Sequence, residues 1–166
     1  GAAWYLPEER QLTTTEQMKD EICAALGGRA AESLFFNKIS TGALSDLEKV
    51  TKQAYAMVSI YGLSPKLGNI SYYDSSGQNN GFTKPYSEDR AKLIDSEVSQ
   101  LIEDQYQRAL KVLKNNKKKV EELANALLTK EVIFKANLES IFGLRKWKSY
   151  QEEQLNEIDK KDANKK

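Results

Sequence analysis

The feature that most constrains the fold is an apolar stripe along residues 87–116, with a spacing of three to four residues. This spacing places apolar side chains on one face of an α-helix, here over about seven turns. Ser87 precedes the stripe, where its hydroxyl can cap the first turn, and Asn115–Asn116 follow it. The stripe consists of Leu93 or Ile94, Val98, Leu101 or Ile102, Gln105 or Tyr106, Ala109, and Val112 or Leu113. A helix of this length predicts a mainly α-helical chain.

A second helical pattern begins near Thr13–Thr15, which with Glu16 and Gln17 form overlapping capping boxes. The pattern continues to Phe36 and includes the pair Gly27–Gly28, although each glycine within a helix costs about 1 kcal/mol relative to alanine. We predict one helix whose glycine-rich face, with Ala24 and Ala31, lets another helix approach closely. The alternative is that the glycine pair ends one helix and starts another.

Three more helices are predicted from the same periodicity. The first has a buried stripe made of Leu47, Val50, Ala54, Met57 or Val58, and Tyr61, and it ends at Gly62. The second runs from Val120 to about Thr129 and follows the run Lys117–Lys119, which we interpret as a solvated turn because no aromatic residues interleave with the lysines. The third is short, from Val132 to Phe142.

The remaining segments lack helical periodicity. Gly1–Leu6 reads as a short edge strand that ends before Pro7. Residues 70–84 predict a small β-hairpin, with Asn80–Gly81 as its turn dipeptide. After Trp147 the sequence becomes polar, and we predict one domain over residues 1–148 followed by a disordered tail over residues 149–166.

Composition excludes several classes of function. The chain has 166 residues, no histidine and one cysteine, which excludes a self-contained Ser/His/Asp triad, a Cys/His dyad and an imidazole zinc site. The net charge of +1 gives no global field that would attract nucleic acid, so no nucleic-acid partner is expected. No apolar run approaches the ~20 residues that a membrane span requires.

Three ordered blocks carry a resemblance to a known family. They are Leu26-Gly-Gly-Arg-Ala-Ala-Glu32, Ile39-Ser-Thr-Gly-Ala-Leu-Ser-Asp-Leu-Glu48, and Ala54-Tyr-Ala-Met-Val58 with Tyr61-Gly-Leu-Ser64 and Lys66-Leu-Gly68. In this order and spacing they resemble the peptidase domain of the FtsH family, which comprises membrane-anchored, ATP-dependent zinc metalloproteases. The resemblance reaches back to Trp4 and forward to about Phe142.

The resemblance implies a site that this chain holds only in part. In the family, a His-Glu-x-x-His helix upstream supplies two zinc ligands and the general base, so we expect residue 1 to lie inside a larger protein. The aspartate of the second block, here Asp46, is implied as the third zinc ligand. Ser45 to Glu48 also reads as a capping box that would place Asp46 in the first helical turn.

Further site residues are expected with less support from the motif. Glu32 is a candidate to orient a zinc-bound histidine, and a plain helix-surface or capping acid is the alternative; Arg29 could simply pair with it. The strand residues Ala2, Ala3, Trp4 and Tyr5 are candidates to pair with an extended substrate, and the alternative is a strand that only covers the core.

The implied function is that of the whole protein. The resemblance implies hydrolysis of membrane and misfolded proteins by zinc-activated water, with ATP and magnesium in a separate ATPase domain and a homo-hexameric assembly. It also implies a membrane anchor outside this chain, with the peptidase domain on the cytoplasmic or matrix side. We expect the 166-residue chain alone to be soluble, to bind no zinc and to be proteolytically inactive. The rival hypothesis is a non-enzymatic helical module for oligomerisation or protein interaction.

Overall fold

The structure, a computed structural model, describes residues 12–73 and 86–144, and every regular element within these ranges is helical. The helices are α1 (Thr15–Ala25), α2 (Gly27–Phe36), α3 (Leu44–Ser59), α4 (Glu88–Asn115), α5 (Lys117–Lys130) and α6 (Lys135–Phe142), with a 3-10 turn at Thr41–Ala43. The prediction of a mainly α chain is confirmed. The edge strand at residues 1–6 lies outside the described residues, as do residues 74–84 of the hairpin, and residues 70–73 contain no strand.

The chain divides into two compact units. Among the described residues, one unit lies within Thr13–Lys117, and the other contains Leu12 and residues 118–144. The first unit therefore contains α1 to α4, and most of α5 and all of α6 belong to the second. The predicted domain over residues 1–148 and the predicted tail over residues 149–166 stay predictions.

The core of the first unit lies where α1, α3 and α4 meet, and α2 packs against α4. Its largest fully buried side chains are Ile22 and Leu26 at the end of α1, Val50 of α3 and Ile94 of α4. These residues are spaced three or four apart from other buried residues on each helix, so each helix buries one apolar face. The cluster is completed by Ala54, Met57, Val58, Leu67 and Val98.

The helix starts at Thr14 and Ser87 agree with the sequence. The Thr14 hydroxyl accepts from the amide of Gln17 at 3.3 Å, and the Gln17 side chain accepts from the amide of Thr14 at 2.8 Å. The Ser87 hydroxyl accepts from the amide of Arg90 at 3.3 Å. Each cap satisfies an amide that has no partner within its own helix, which fixes the start of α1 and of α4.

α3 ends at Ser59, earlier than expected, and Gly62 follows three residues later, where the chain turns back. Its φ of 65° is left-handed, a conformation that residues with a Cβ rarely adopt, and the amide of Leu63 donates to the carbonyl of Met57 at 3.0 Å. The chain then folds back, so that the amide of Tyr72 donates to the carbonyl of Ser59 at 2.8 Å. Tyr61, predicted to belong to the buried stripe, is instead 59% exposed because the helix has ended before it.

Two polar contacts join α4 to distant parts of the same unit. The Glu97 carboxylate accepts from the Ser64 hydroxyl at 3.0 Å and from the Lys66 ammonium at 2.6 Å. Arg108 pairs with Asp20 of α1 at 2.6 Å. Each contact links residues at least 31 positions apart in sequence, so both contribute to the tertiary fold.

Three further expectations about helix boundaries are wrong. The last helix begins at Lys135 and not at Val132, because the chain is interrupted at Glu131, which has a φ of 60°. The predicted single helix is divided at Leu26, so the alternative of two helices holds, and a Cβ added at Gly27 or Gly28 would meet nothing within 4 Å. The lysine run is not a turn, because Lys117–Lys119 form the first turn of α5 and the break falls at Asn116 alone. Lysine is a good helix former, whereas asparagine tends to interrupt a helix by hydrogen bonding to nearby backbone.

The described part of the second unit is a pair of helices. Glu131, with a φ of 60°, interrupts the chain after α5, and the amide of Phe134 donates to the Asn137 side chain at 3.0 Å at the start of α6. The ammonium of Lys119 donates to the carbonyl of Phe142 at 3.3 Å, which joins the start of α5 to the end of α6. Neither helix contains a buried residue.

Candidate metal-ligand site at the start of α3

The segment between α2 and α3 reverses the chain within a few residues. Asn37 follows α2 in the left-handed conformation, with a φ of 49°, which asparagine tolerates better than most residues. The 3-10 turn Thr41–Ala43 then leads directly into α3, and Ala43 is buried. The start of α3 is therefore held against the unit by a short, ordered connection.

Glu32 binds this connection at Ser40. Its two carboxylate oxygens accept from the Ser40 hydroxyl at 2.5 Å and from the Ser40 amide at 3.1 Å. Arg29, one turn earlier on α2, donates to the Ser40 carbonyl at 3.1 Å. The hydrogen bonds from Ser40, together with the charge of Arg29, hold the pKa of the Glu32 carboxyl below its usual value. The carboxylate is therefore charged at neutral pH and accepts strong hydrogen bonds.

Asp46 lies in the first turn of α3 and is exposed. A negative charge is favourable there because the first amides of a helix carry a partial positive charge. Within the described residues, Asp46 forms neither a hydrogen bond nor an ion pair. This part of the prediction, an acidic residue in the first turn, is confirmed.

The capping box predicted at Ser45 is wrong. The residue that precedes α3 is Ala43, which has no side-chain acceptor, and Ser45 lies inside the first turn. Glu48, the other half of the predicted box, pairs with Lys52 one turn later at 2.5 Å. The residue that acts as a cap is Ser40. Its hydroxyl accepts from the amide of Gly42 at 3.2 Å, at the start of the 3-10 turn.

The predicted site residues are placed as follows. Glu32 and Asp46 lie at the two ends of one short connection, which Ser40 links to α2. The predicted substrate-binding residues Ala2, Ala3, Trp4 and Tyr5 lie outside the described residues. Sequence reasoning missed Ser40, although a serine two residues before a glycine is a recognisable hydroxyl-capped turn.

Within the described residues, the side chains around the start of α3 offer a single candidate ligand, Asp46, and do not form a complete metal site. No group of three histidine, cysteine, aspartate or glutamate side chains that could hold a metal ion occurs within residues 12–73 and 86–144. A catalytic zinc needs three protein ligands and an open position. Asp46 can supply one carboxylate oxygen to such a site, and the other ligands must come from other residues.

Comparison with known proteins identifies the family. The model of peptidase family M41 matches residues 1–141, most of the chain. The chain belongs to peptidase family M41. Membership confirms the resemblance seen in the three ordered motifs, and both Glu32 and Asp46 lie within the matched range.

The similar proteins are several times longer than this chain. The chain is 61% identical over 155 residues to an ATP-dependent zinc metalloprotease FtsH of Parabacteroides distasonis and 58% identical over 142 residues to one of Karelsulcia muelleri. These alignments cover 93% and 85% of the chain and 23% of each relative. A mouse protein, mitochondrial inner membrane m-AAA protease component AFG3L1, is 46% identical over 145 residues, which are 87% of the chain and 18% of that protein.

The chain therefore spans about a fifth of the length of the curated relatives it matches. The names of the two FtsH relatives specify an ATP-dependent zinc metalloprotease, and the name of the mouse relative specifies a protease component of the mitochondrial inner membrane. Among the described residues of this chain, none of the helices is sufficiently long and apolar to span a bilayer.

Proposed function

We propose that this M41 chain supplies the carboxylate ligand of a zinc-dependent endopeptidase, and that Asp46 is that ligand. The observation that carries the proposal is an exposed aspartate in the first turn of α3, within the Ser-Thr-Gly-Ala-x-x-Asp block. Bound zinc in such a site supplies Lewis-acid activation of water for hydrolysis of a peptide bond. Since the chain contains no histidine, any histidine ligands come from outside these 166 residues, and by analogy with the His-Glu-x-x-His helix of the family so does the general base.

The test uses the full-length protein with Asp46→Asn. This change removes the charge of a ligand at nearly constant size, so we expect zinc occupancy and protein cleavage to fall while ATP hydrolysis persists. The matched control is Asp89→Asn, because Asp89 is likewise an acidic residue in the first turn of a helix, α4. Zinc content that is unchanged in Asp46→Asn would remove Asp46 from the site.

By itself, the 166-residue chain is proposed to be proteolytically inactive. One carboxylate does not hold zinc against dialysis, and the described residues contain no group of three potential ligands. Elemental analysis after extensive dialysis and casein cleavage with added zinc test this claim. Stoichiometric zinc or chelator-sensitive cleavage would refute it.

The wider function is proposed by analogy with the named relatives. The whole protein degrades polypeptides, uses ATP and magnesium in a separate ATPase domain, and assembles as a membrane-anchored homo-hexamer with the peptidase domain on the cytoplasmic or matrix side. Within it, a strand over residues 1–6 pairs with an extended substrate through Ala2 to Tyr5. Such backbone pairing tolerates many substrate sequences, which suits degradation of unfolded chains.

A second candidate function is self-association as a helical module. It is favoured by exposed apolar side chains in the second unit, where Leu128 is 83% exposed and Phe134 is 72% exposed. Sedimentation velocity of the 166-residue chain and of a Leu128→Ser variant tests it. A concentration-independent monomer for the parent chain would exclude this candidate, whereas the Asp46→Asn experiment bears on the protease alone.

A further inference from the structure

The connection between α2 and α3 is tied to α2 at a single residue, Ser40. The amide and hydroxyl of Ser40 both donate to Glu32, and its carbonyl accepts from Arg29. Both acceptor oxygens of Glu32 are engaged in this way. Glu32 and Arg29 lie one turn apart on α2, so both form their hydrogen bonds to Ser40 from the same face of that helix.

Every residue between Ser40 and Asp46 belongs either to the 3-10 turn or to α3. The Ser40 hydroxyl accepts from the amide of Gly42, the 3-10 turn occupies Thr41–Ala43, and α3 begins at Leu44. The amide of Leu44 donates to the carbonyl of Thr41, which joins the turn to the helix. A shift of Ser40 is therefore transmitted to the first turn of α3, where Asp46 lies.

We propose that Glu32 and Arg29 are positioning residues that hold Asp46 in place for zinc by fixing Ser40. The proposal rests on Asp46 being a zinc ligand, as proposed above. It differs from the sequence-based hypothesis that Glu32 orients a zinc-bound histidine, because here Glu32 acts on the carboxylate side of the site. The contact to Ser40 supports the new role, because both Glu32 oxygens accept from the connection that leads to Asp46.

A double-mutant cycle in the full-length protein separates the two roles. Zinc affinity is measured by competition with a chromogenic chelator for Glu32→Ala, Ser40→Ala and the double variant. Loss of an outer-shell partner typically weakens metal binding about 10- to 100-fold. We expect a loss in this range for Glu32→Ala and a smaller loss for Ser40→Ala, which keeps the amide hydrogen bond to Glu32. The double variant should lose less than the product of the two single losses, because both changes remove the hydrogen bond between the Ser40 hydroxyl and Glu32. Losses that multiply in the double variant, or unchanged affinity in Glu32→Ala, would overturn the proposal.

Two comparisons make the outcome specific. Glu103→Ala is the matched control, because Glu103 is an exposed helical carboxylate that accepts one hydrogen bond, from Gln107, and it should leave zinc affinity unchanged. Glu32→Gln keeps one acceptor oxygen, so an intermediate loss is expected. If an alanine variant loses its helical circular-dichroism signal, Glu32→Gln and Arg29→Gln carry the same test with smaller expected losses.

Asp46→Asn is measured in the same series, and it separates the ligand role of Asp46 from the positioning role of Glu32. If Asp46→Asn weakens zinc binding while Glu32→Ala and Ser40→Ala do not, the positioning role fails and the proposed function stands. If Asp46→Asn also leaves zinc binding unchanged, the proposed function itself fails.

Discussion

Replacing Gly62 by alanine tests the explanation given for the reversal of the chain after α3. Gly62 has a φ of 65°, and a left-handed conformation costs a residue with a Cβ about 1–2 kcal/mol. Alanine also restricts the unfolded chain, which offsets about 0.4–1 kcal/mol of that cost. The added Cβ would lie 3.4 Å from the carbonyl oxygen of Ile70, an ordinary van der Waals contact that adds no clash. We therefore expect Gly62→Ala to reduce the free energy of unfolding by about 1 kcal/mol.

The matched control is the same substitution at Gly28. Gly28 lies in α2, and a Cβ added there would meet nothing within 4 Å. Alanine is the better helix former, so Gly28→Ala should increase the free energy of unfolding by up to about 1 kcal/mol. The two Gly→Ala variants are thus expected to differ in sign, although they add the same atoms.

Urea unfolding followed by far-UV circular dichroism measures both effects. With a urea dependence of about 2 kcal/mol per molar, a change of 1 kcal/mol shifts the midpoint by about 0.5 M, downward for Gly62→Ala and upward for Gly28→Ala. Unchanged or increased stability in Gly62→Ala would refute the assignment of a left-handed residue at this position. Destabilisation in Gly28→Ala would show that space around that glycine is occupied.

Three further predictions concern the core, a helix cap and pH. Ile94→Ala, at a position with no exposed surface, should reduce the free energy of unfolding by about 2–5 kcal/mol in urea titrations, and a loss under 1 kcal/mol would contradict its place in the core. Ser87→Ala removes the cap of α4 and should cost about 1 kcal/mol, whereas Ser87→Asp should retain stability; equal losses would exclude capping. The hydrogen bond from Lys66 lowers the pKa of Glu97 against the opposing effect of burial, so this carboxylate stabilises the fold above its unfolded pKa, and the contribution disappears as pH falls through the lowered folded pKa. Between pH 7 and pH 3, Glu97→Gln should accordingly lose less stability than the parent chain, and parallel pH profiles would contradict this linkage.

The sequence predicts the helices whose signals are local. Ser87 and Thr14 precede apolar periodicity and cap α4 and α1, because each of these residues acts on backbone groups within one turn of itself. Gly62 marks the reversal of the chain that follows α3, although the helix itself ends three residues earlier. The buried faces of α3 and α4 follow equally well, since periodicity reports which face of a helix is covered.

The mispredicted helix boundaries depend on small differences in helix propensity between neighbouring residues. A helix tolerates or rejects a glycine pair by small differences in propensity, and at Leu26 the helix divides before Gly27. The charge of Lys117–Lys119 favoured the prediction of a solvated turn. In the structure, all three lysines belong to α5, in agreement with the high helix propensity of lysine.

The candidate site can be predicted only in part from the sequence. Motif order makes Asp46 and Glu32 candidates, because both residues lie within the ordered blocks that carry the resemblance. The contact between Glu32 and Ser40 joins residues eight positions apart across a chain reversal, and no periodic pattern encodes it. Such a contact becomes visible only when the left-handed Asn37 has turned the chain back along α2.

Helix α4 has a consequence for how the protein is made. Its 28 residues span about 42 Å and contact α1, α2 and α3, so the apolar faces of the earlier helices are completed only when α4 arrives. At about 5–20 residues per second, a ribosome adds the roughly 40 residues between Val58 and Val98 in about 2–8 seconds. During that interval the nascent chain displays Val50, Met57 and Val58 without their final partner, which is a window for chaperone binding during translation.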